Sequence, residues 1–175
     1  EKKVFYKDDQ IKLFFIILLI LITITSIWLY LNKEFFNLSY SIRISIFNIT
    51  SVLTGTGFTS YDYNLWGSFG LVIMIIIMFI GGCAGSTTGG IKIFRLQLLF
   101  RGVKTQIKRL TQPHGVFITT FNGRSVTDDT YNSIMGFFFV YILVFILASV
   151  ALSLFNLEFL TAFSAAASAI SNVGP

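Results

Sequence analysis

The sequence predicts an all-α polytopic membrane protein, and three observations lead to this fold class. Apolar residues make up 54% of the 175 residues, while charged residues make up 12%, about half the share typical of soluble domains. Long stretches carry no charge, namely 13–32, 44–61, 63–91, 130–157 and 159–175. Glycine clusters interrupt or end several of these stretches, which divides them into segments of different lengths.

The composition also excludes several classes of function. The net charge is +5, but long apolar runs separate the basic residues, so no nucleic-acid-binding surface is expected. Cys83 is the single cysteine, which excludes a disulfide-built domain. Paired carboxylates, Ser/His pairs and metal-ligand clusters are absent from the apolar segments, so we do not expect an enzyme. Residues 1–12 form a cytoplasmic lead-in, and the apolar run after them lacks a signal-peptide cleavage site.

Two segments are long enough to cross a bilayer. A hydrocarbon core of about 30 Å requires roughly 20 helical residues. Residues 11–31 and 134–156 meet this requirement, and Trp28 and Tyr30 stand where interfacial aromatic residues are common. Both segments are therefore predicted to be full membrane spans.

A third apolar segment, 67–80, is too short to cross and runs directly into the glycine-rich residues 81–90 before Ile91. We interpret it as a helix that is broken in its middle. Irregular backbone at membrane depth persists only where protein or water covers it, so the break points to a cavity or pathway. The alternative is close helix packing through Gly81, Gly85 and Gly89 as a small-xxx-small pattern.

Two further segments, 44–53 and 159–171, are polar in part and too short to cross. Each follows a full span, and each ends in glycine-containing residues, 54–58 and 171–175. We interpret both as re-entrant half helices. Superposing Gly57 on Gly174 without gaps repeats the same order of elements, and the second copy stops before its closing helix. The chain is therefore expected to be a fragment that ends inside a repeat.

Charge sets the expected orientation. All lysines and arginines except Lys33 and Arg43 precede the first span or lie between the broken helix and the last span. The positive-inside rule places the N-terminus and the 92–133 connection in the cytoplasm, with the half helices entering from outside. Apolar residues at helical spacing predict an amphipathic basic helix over 96–110.

The rest of the connection has turn and cap signals. The dipeptide Asn122-Gly123 predicts a hairpin turn, and Thr127 followed by two aspartates predicts the start of the next helix. The single histidine, His114, lies in this connection, and we interpret it as structural or solvated.

The repeated unit suits cation conduction. A half helix that points into the membrane directs the negative end of its dipole towards the centre, and the following turn can offer backbone carbonyls to a dehydrated cation. Thr54 and Thr56 can add hydroxyl oxygens, and oxygen ligands without carboxylates favour a monovalent ion. On the outer side, Asp62 either concentrates cations at the mouth or makes a turn contact with a tyrosine.

Three strings carry a family resemblance: TGTGFTSYDY at 54–63, MFIGGCAGSTTGGIKIFR at 78–95 and SAISNVGP at 168–175. They strongly resemble the TrkH-type potassium uptake proteins of the Trk/Ktr/HKT superfamily. The resemblance implies helix/pore-loop/helix repeats of the potassium-channel type with a broken pore-lining helix. It further implies that 13–112 is the third repeat with a cytoplasmic extension, 113–133 a cytoplasmic connection with a hairpin, and 134–175 the start of the fourth repeat.

The resemblance assigns roles to individual residues. It implies a potassium-binding selectivity filter at Thr54, Gly55, Thr56, Gly57, Ser171, Asn172, Val173 and Gly174, and a gate loop at Gly81, Gly82, Cys83, Ala84, Gly85, Ser86, Thr87, Thr88, Gly89 and Gly90. In two departures from the family pattern, Thr88 replaces a glycine of many relatives, and Gly55 replaces a common threonine. We expect Cys83 to be a small buried residue.

The implied function is potassium uptake across the bacterial inner membrane, with K⁺ as the transported ion and no cofactor. The family also implies a homodimer in the lipid bilayer and a cytosolic nucleotide-binding regulatory subunit of the TrkA or KtrA type. The alternative hypothesis is a membrane assembly subunit that packs helices through glycines and does not conduct.

Overall fold

The computed structural model describes residues 8–32, 37–112, 115, 117, 120–121 and 124–174. Helices make up most of this part of the chain. They are α1 (Asp9–Leu31), α2 (Leu38–Leu53), a 3₁₀ helix (Tyr63–Trp66), α3 (Gly67–Phe79), α4 (Ile93–Thr111), α5 (Asp128–Ser153) and α6 (Phe159–Ser171). A small hairpin of β1 (Thr120–Phe121) and β2 (Arg124–Ser125) lies between α4 and α5.

The two predicted spans are continuous helices. With 23 residues in α1 and 26 in α5, both are longer than the roughly 20 residues that a bilayer requires. The helix that contains the second span starts at Asp128, as the cap signal at Thr127 predicts, and therefore begins ahead of the apolar residues 134–156; the Thr127 side chain accepts a hydrogen bond from the Thr130 amide. It ends at Ser153, three residues before the predicted end, in a turn where Asn156 has a φ of 57°.

The two half helices are confirmed as short helices. α2 has 16 residues and α6 has 13, which corresponds to lengths of about 24 and 20 Å. The start predicted at residue 44 is wrong, because α2 begins at Leu38, where Asn37 caps it by accepting a hydrogen bond from the Ser39 amide. The charge of Arg43 does not end the helix.

The break in the third apolar segment is confirmed. α3 ends at Phe79, and the next helix starts only at Ile93. An isolated parallel bridge joins Ile80 to Ile91 and closes the neck of the intervening loop. We call residues 81–90 the glycine loop. Its glycines do not lie on one helix, so they cannot form the helical small-xxx-small pattern that was the alternative.

One apolar core holds these elements together. α2 packs between α1 and α3, while α6 packs against both α3 and α5. Side chains from all of these helices meet in a single buried cluster, which includes Leu29, Ile49, Leu53, Trp66, Met74, Ile77, Phe145 and Ala166. The indole Nε1 of Trp28 donates to the carbonyl of Trp66 at 3.1 Å, which ties the end of α1 to the 3₁₀ helix.

The predicted amphipathic helix is α4, and it starts earlier than expected because it continues directly from the glycine loop. The first half of α4 contacts the start of α1. The Arg101 guanidinium forms an ion pair with the Asp9 carboxylate at 2.7 Å, and Gln97 Nε2 donates to the Asp9 carbonyl. The strands pair as predicted, Phe121 with Arg124, while the turn at Asn122-Gly123 and also His114 lie outside the described residues.

Candidate functional site

Residues 54–57, which we call pore loop A, follow the C-terminus of the half helix α2. Gly55 and Gly57 adopt left-handed backbone, with φ of 68° and 79°, whereas Thr56 between them does not. The Thr56 amide donates to the Ser51 carbonyl at 2.9 Å, and the Gly57 amide reaches the same oxygen at 3.4 Å. The loop is therefore folded back onto the last turn of its own half helix.

Residues 171–174, which we call pore loop B, follow α6 in the same way. Asn172 and Gly174 are left-handed, with φ of 51° and 101°, and Val173 is not. The Val173 amide donates to the Ser168 carbonyl at 3.2 Å, and the Gly174 amide donates to the Ser168 hydroxyl at 3.2 Å. One serine thus holds pore loop B, as one serine holds pore loop A.

The two pore loops match at the positions that the sequence repeat superposes. Ser51 corresponds to Ser168, and the left-handed Gly55 corresponds to the left-handed Asn172. Alternation of left-handed and ordinary backbone lets successive carbonyls turn towards one side, an arrangement that needs glycine or a residue such as asparagine that tolerates positive φ. Both loops therefore have backbone suited to presenting a row of carbonyl oxygens.

The hydroxyl groups of pore loop A form an ordered chain. Thr54 Oγ1 donates to the Thr50 carbonyl at 2.7 Å and lies 2.8 Å from Thr56 Oγ1. Since the Thr54 proton is directed to the helix, Thr56 is the donor between the two hydroxyls. The remaining lone pairs of Thr56 Oγ1 are available to a ligand.

Two buried side chains hold the segment after pore loop A and the start of pore loop B, and sequence reasoning missed both. Asn48, fully buried in α2, donates to Ser60 Oγ at 3.0 Å and accepts from the Ser60 amide at 3.1 Å. Tyr141 of α5 and Ser171 of pore loop B share a buried hydroxyl hydrogen bond of 2.9 Å. An asparagine within the uncharged segment 44–53 was the signal for Asn48, whereas the Tyr141 contact requires the tertiary structure.

The glycine loop is stabilised by its own side chains. Thr88 Oγ1 accepts from the Gly82 amide at 2.9 Å and lies 2.6 Å from Ser86 Oγ. The Ser86 hydroxyl also donates to the Cys83 carbonyl at 2.7 Å. The expectation that Cys83 is buried is wrong, because this side chain is half-buried at the edge of the loop. Gln10 Oε1 of α1 accepts from the Ala84 amide at 3.0 Å.

The glycine loop lies directly against both pore loops. A Cβ atom on Gly89 would stand 1.9 Å from the Ser171 carbonyl oxygen, so only glycine permits this approach. The Thr88 methyl group lies close to Gly55, 3.2 Å from where a Cβ of that residue would stand. The structure thus brings the three predicted sets of site residues into one assembly.

Asp62 lies apart from that assembly. It is exposed and caps the 3₁₀ helix, where its Oδ1 accepts from the Asn64 amide at 2.9 Å and from the Asn64 side chain at 2.8 Å. These hydrogen bonds go to Asn64, and the turn contact with a tyrosine stays a prediction. This position leaves the carboxylate facing solvent at the end of the loop that follows pore loop A.

The family model of TrkH, described as a cation transport protein, matches residues 5–175. The chain belongs to the TrkH family.

Individual members of the TrkH family support this assignment. The chain is 37% identical to the Trk system potassium uptake protein TrkI of Halomonas elongata, over 97% of this chain and 34% of that protein. It is 31% identical to TrkH of Escherichia coli over 99% of this chain and 36% of that protein. The crystal structure of the potassium transporter TrkH from Vibrio parahaemolyticus superposes with a TM-score of 0.91 at 32% identity, covering 99% of this chain and 37% of that one.

These matches establish a helical membrane protein with pore-loop repeats and confirm the predicted fold class. The chain spans about a third of the length of these TrkH-family relatives. Gly55 and Thr88, at which we expect departures from the family pattern, lie close to each other. A glycine in pore loop A thus leaves space for a threonine in the glycine loop.

We predict that Asn48→Ala destabilises the full-length protein by roughly 2 kcal/mol, because it leaves the Ser60 amide without its buried partner. Thermal unfolding in detergent measures this loss. The matched control is Asn64→Ala, which removes an exposed asparagine and should change stability by less than about 0.5 kcal/mol. Equal effects of the two variants would contradict the positioning role of Asn48.

We predict that Gly89→Ala destabilises the protein by about 1–3 kcal/mol, because the added methyl group must push the glycine loop away from Ser171. Gly136→Ala is the control. Gly136 lies in α5 with open space around it, so alanine should stabilise the helix by about 0.5–1 kcal/mol. The same thermal measurement applies, and a neutral Gly89→Ala would show that the two loops are not in contact.

The contact between Gly55 and Thr88 can be tested by a double-mutant cycle. Gly55→Ala should be destabilising, both through its positive φ and through the nearby Thr88 methyl group. Thr88→Ser removes that methyl group and retains the hydroxyl. In the Thr88→Ser background the cost of Gly55→Ala should fall by about 0.5–1 kcal/mol. Strict additivity of the two changes in unfolding free energy would argue against the contact.

Proposed function

We propose that the full-length protein transports K⁺ through a selectivity filter to which pore loops A and B each contribute one strand. The observation that carries this proposal is the shared backbone geometry of the two loops, with left-handed residues at corresponding positions and one serine anchoring each loop. Carbonyl oxygens presented in this way replace the hydration shell of a monovalent cation. The relatives named potassium uptake proteins support K⁺ as the ion.

The filter residues in this proposal are those expected from the sequence, 54–57 and 171–174. Because each half helix ends at its pore loop, its C-terminal dipole favours a cation at that point. The Thr56 hydroxyl adds an oxygen at the end of pore loop A. K⁺ is the cargo in this mechanism, and no cofactor takes part.

We further propose that the glycine loop is the gate. It lies against the helix-proximal ends of both pore loops, at Gly55 and Ser171, so an ion leaving the filter there would meet it. Its backbone is held by short-range hydrogen bonds within the loop and to the start of α4, and by a bond from the Ala84 amide to Gln10. A segment held in this way can rearrange without unfolding the helices on either side.

The positive-inside pattern supports a bacterial inner-membrane location with the start of α1 and all of α4 on the cytoplasmic side. In that orientation Asp62 lies on the outer side, where its exposed carboxylate would attract cations. The proposed partners follow from family membership: a second copy of the protein, and a cytosolic nucleotide-binding subunit of the TrkA or KtrA type that regulates the gate.

The alternative of a non-conducting assembly subunit is disfavoured by the glycine loop. Helix packing through glycines requires them on one face of a continuous helix. Here Gly81, Gly85 and Gly89 lie in irregular backbone, and Gly89 contacts a pore loop and not a helix face.

We predict that Gly57→Asp abolishes K⁺ uptake by the full-length protein. A carboxylate at the filter would bind K⁺ too strongly for it to leave, and an aspartate side chain also strains the left-handed backbone. Uptake is measured as ⁸⁶Rb⁺ or K⁺ accumulation in cells that lack other K⁺ uptake systems.

The control is Gly136→Ala, at an open position in α5. It should leave uptake unchanged, and both variants should be present in the membrane fraction in equal amounts. Normal uptake by an inserted Gly57→Asp protein would refute the assignment of pore loop A to the filter.

A further inference from the structure

The side chain of Lys92 reaches back from the start of α4 into the glycine loop. Its ammonium group is hydrogen-bonded to the Ser86 carbonyl at 2.8 Å, the Ser86 hydroxyl at 3.1 Å and the Thr88 hydroxyl at 3.1 Å. A fourth, short hydrogen bond goes to the Thr88 carbonyl. All four of these partners are uncharged oxygens of the glycine loop.

This set of ligands is the kind that a dehydrated monovalent cation takes. Two carbonyl and two hydroxyl oxygens surround the ammonium, and carbonyl oxygens are the ligands that replace water around K⁺ in selectivity filters. An ammonium group has the charge of K⁺ and a similar size. The oxygens around Lys92 therefore form a small cation site, and the ammonium group of Lys92 occupies it.

The site lies next to the proposed ion pathway. Thr88, which supplies two of the four oxygens, has its methyl group close to Gly55 of pore loop A. The adjacent Gly89 contacts Ser171 of pore loop B. Lys92 is thus bonded to Thr88, which lies beside pore loop A, and Thr88 directly precedes Gly89, which lies against pore loop B.

The same hydrogen bonds also hold the loop together. Thr88 Oγ1 accepts a hydrogen bond from the Gly82 amide, near the start of the glycine loop, and another from the Lys92 ammonium, which follows the end of the loop. Ser86, at the far end, is bonded to Lys92 through both its carbonyl and its hydroxyl. Removal of the ammonium would take away a charge-assisted link to each of these positions.

We propose that these four oxygens form a monovalent-cation site of the glycine loop, and that Lys92 fills this site as an internal cation that keeps the loop closed. This inference rests on the proposed function, because it assumes that the loop lies in the path of K⁺. When the ammonium is withdrawn, the loop opens, and K⁺ from the pathway can occupy the vacated oxygens.

Lys92→Met tests the proposal in the full-length protein, with any cysteines other than Cys83 replaced. Methionine has a similar length but no charge and no donor. Cys83, half-buried in the loop, reports on opening through its reaction with a charged thiol reagent. In K⁺-free choline buffer, we expect the Cys83 reaction of Lys92→Met to be about tenfold faster than that of the wild type, since a charge-assisted contact is lost.

Added K⁺ distinguishes a cation site from a simple structural link. In Lys92→Met, K⁺ or Rb⁺ should slow the Cys83 reaction towards the wild-type rate by filling the vacated site, whereas Li⁺, which is much smaller, should not. The wild-type rate should not depend on K⁺. The control Lys104→Met, at an exposed position of α4, should behave as the wild type.

Each of the other outcomes overturns the proposal. A wild-type Cys83 rate in Lys92→Met would show that the ammonium does not hold the loop closed. A fast rate that K⁺ leaves unchanged would show a structural link without a cation site. If Lys92→Met does not give monodisperse protein, Ser86→Ala tests the proposal in its place, because it keeps the lysine and removes one of the four oxygens. The Cys83 reaction of Ser86→Ala should also be faster than that of the wild type, and an unchanged rate would overturn the proposal.

Ion flux separates this proposal from the proposed function. In K⁺-free choline buffer, with ⁸⁶Rb⁺ at a tracer concentration too low to fill the vacated site, Lys92→Met should raise ⁸⁶Rb⁺ flux into proteoliposomes about tenfold above the wild type, and Lys92→Arg should raise it less because the charge is kept. If neither wild type nor variant carries Rb⁺ while Cys83 still reacts faster and is protected by K⁺, the proposed function fails and the cation site stands.

Discussion

Non-helical backbone inside a membrane is stable only when its polar groups find partners within the protein. This constraint governs pore loop A, pore loop B and the glycine loop. Ser51 and Ser168 accept the amides of the pore loops, and Thr88 accepts the Gly82 amide of the glycine loop. Each segment is thus satisfied by a short polar side chain or a carbonyl one turn away, which leaves pore-loop carbonyls free to face a ligand.

The second organising feature is the close approach of the glycine loop to the pore loops. At Gly89 the separation from Ser171 leaves no space for any side chain, and at Gly55 a missing side chain leaves space for the Thr88 methyl group. Loops that share van der Waals contacts cannot move independently. Rearrangement of the glycine loop would alter the surroundings of the pore loops, and the reverse also holds, which gives a short physical route for coupling between them.

Much of this arrangement could be predicted from the sequence. Charge-free length separates the two spans from the half helices, and the glycine cluster after α3 marks the break, because these features follow from local composition. The repeat superposes Ser51 on Ser168, and in the structure each of these serines accepts an amide of its pore loop, a contact that the sequence did not predict. The start of α2 could not be predicted from charge, since Arg43 lies within the helix and the Asn37 cap sets the boundary. The roles of Asn48, Tyr141 and Lys92 depend on contacts between distant or folded-back segments, which spacing alone does not specify.

Helix α1 is hydrogen-bonded near both of its ends to other parts of the fold. Near its C-terminal end, the Trp28 indole donates to the Trp66 carbonyl beyond pore loop A, and near its N-terminal end Gln10 accepts from the Ala84 amide of the glycine loop. The helix between them is continuous over 23 residues and therefore stiff along its axis. It behaves as a strut that fixes the distance between the 3₁₀ helix and the glycine loop. A tilt or axial shift of this one helix would displace both at once, without passing through the pore loops.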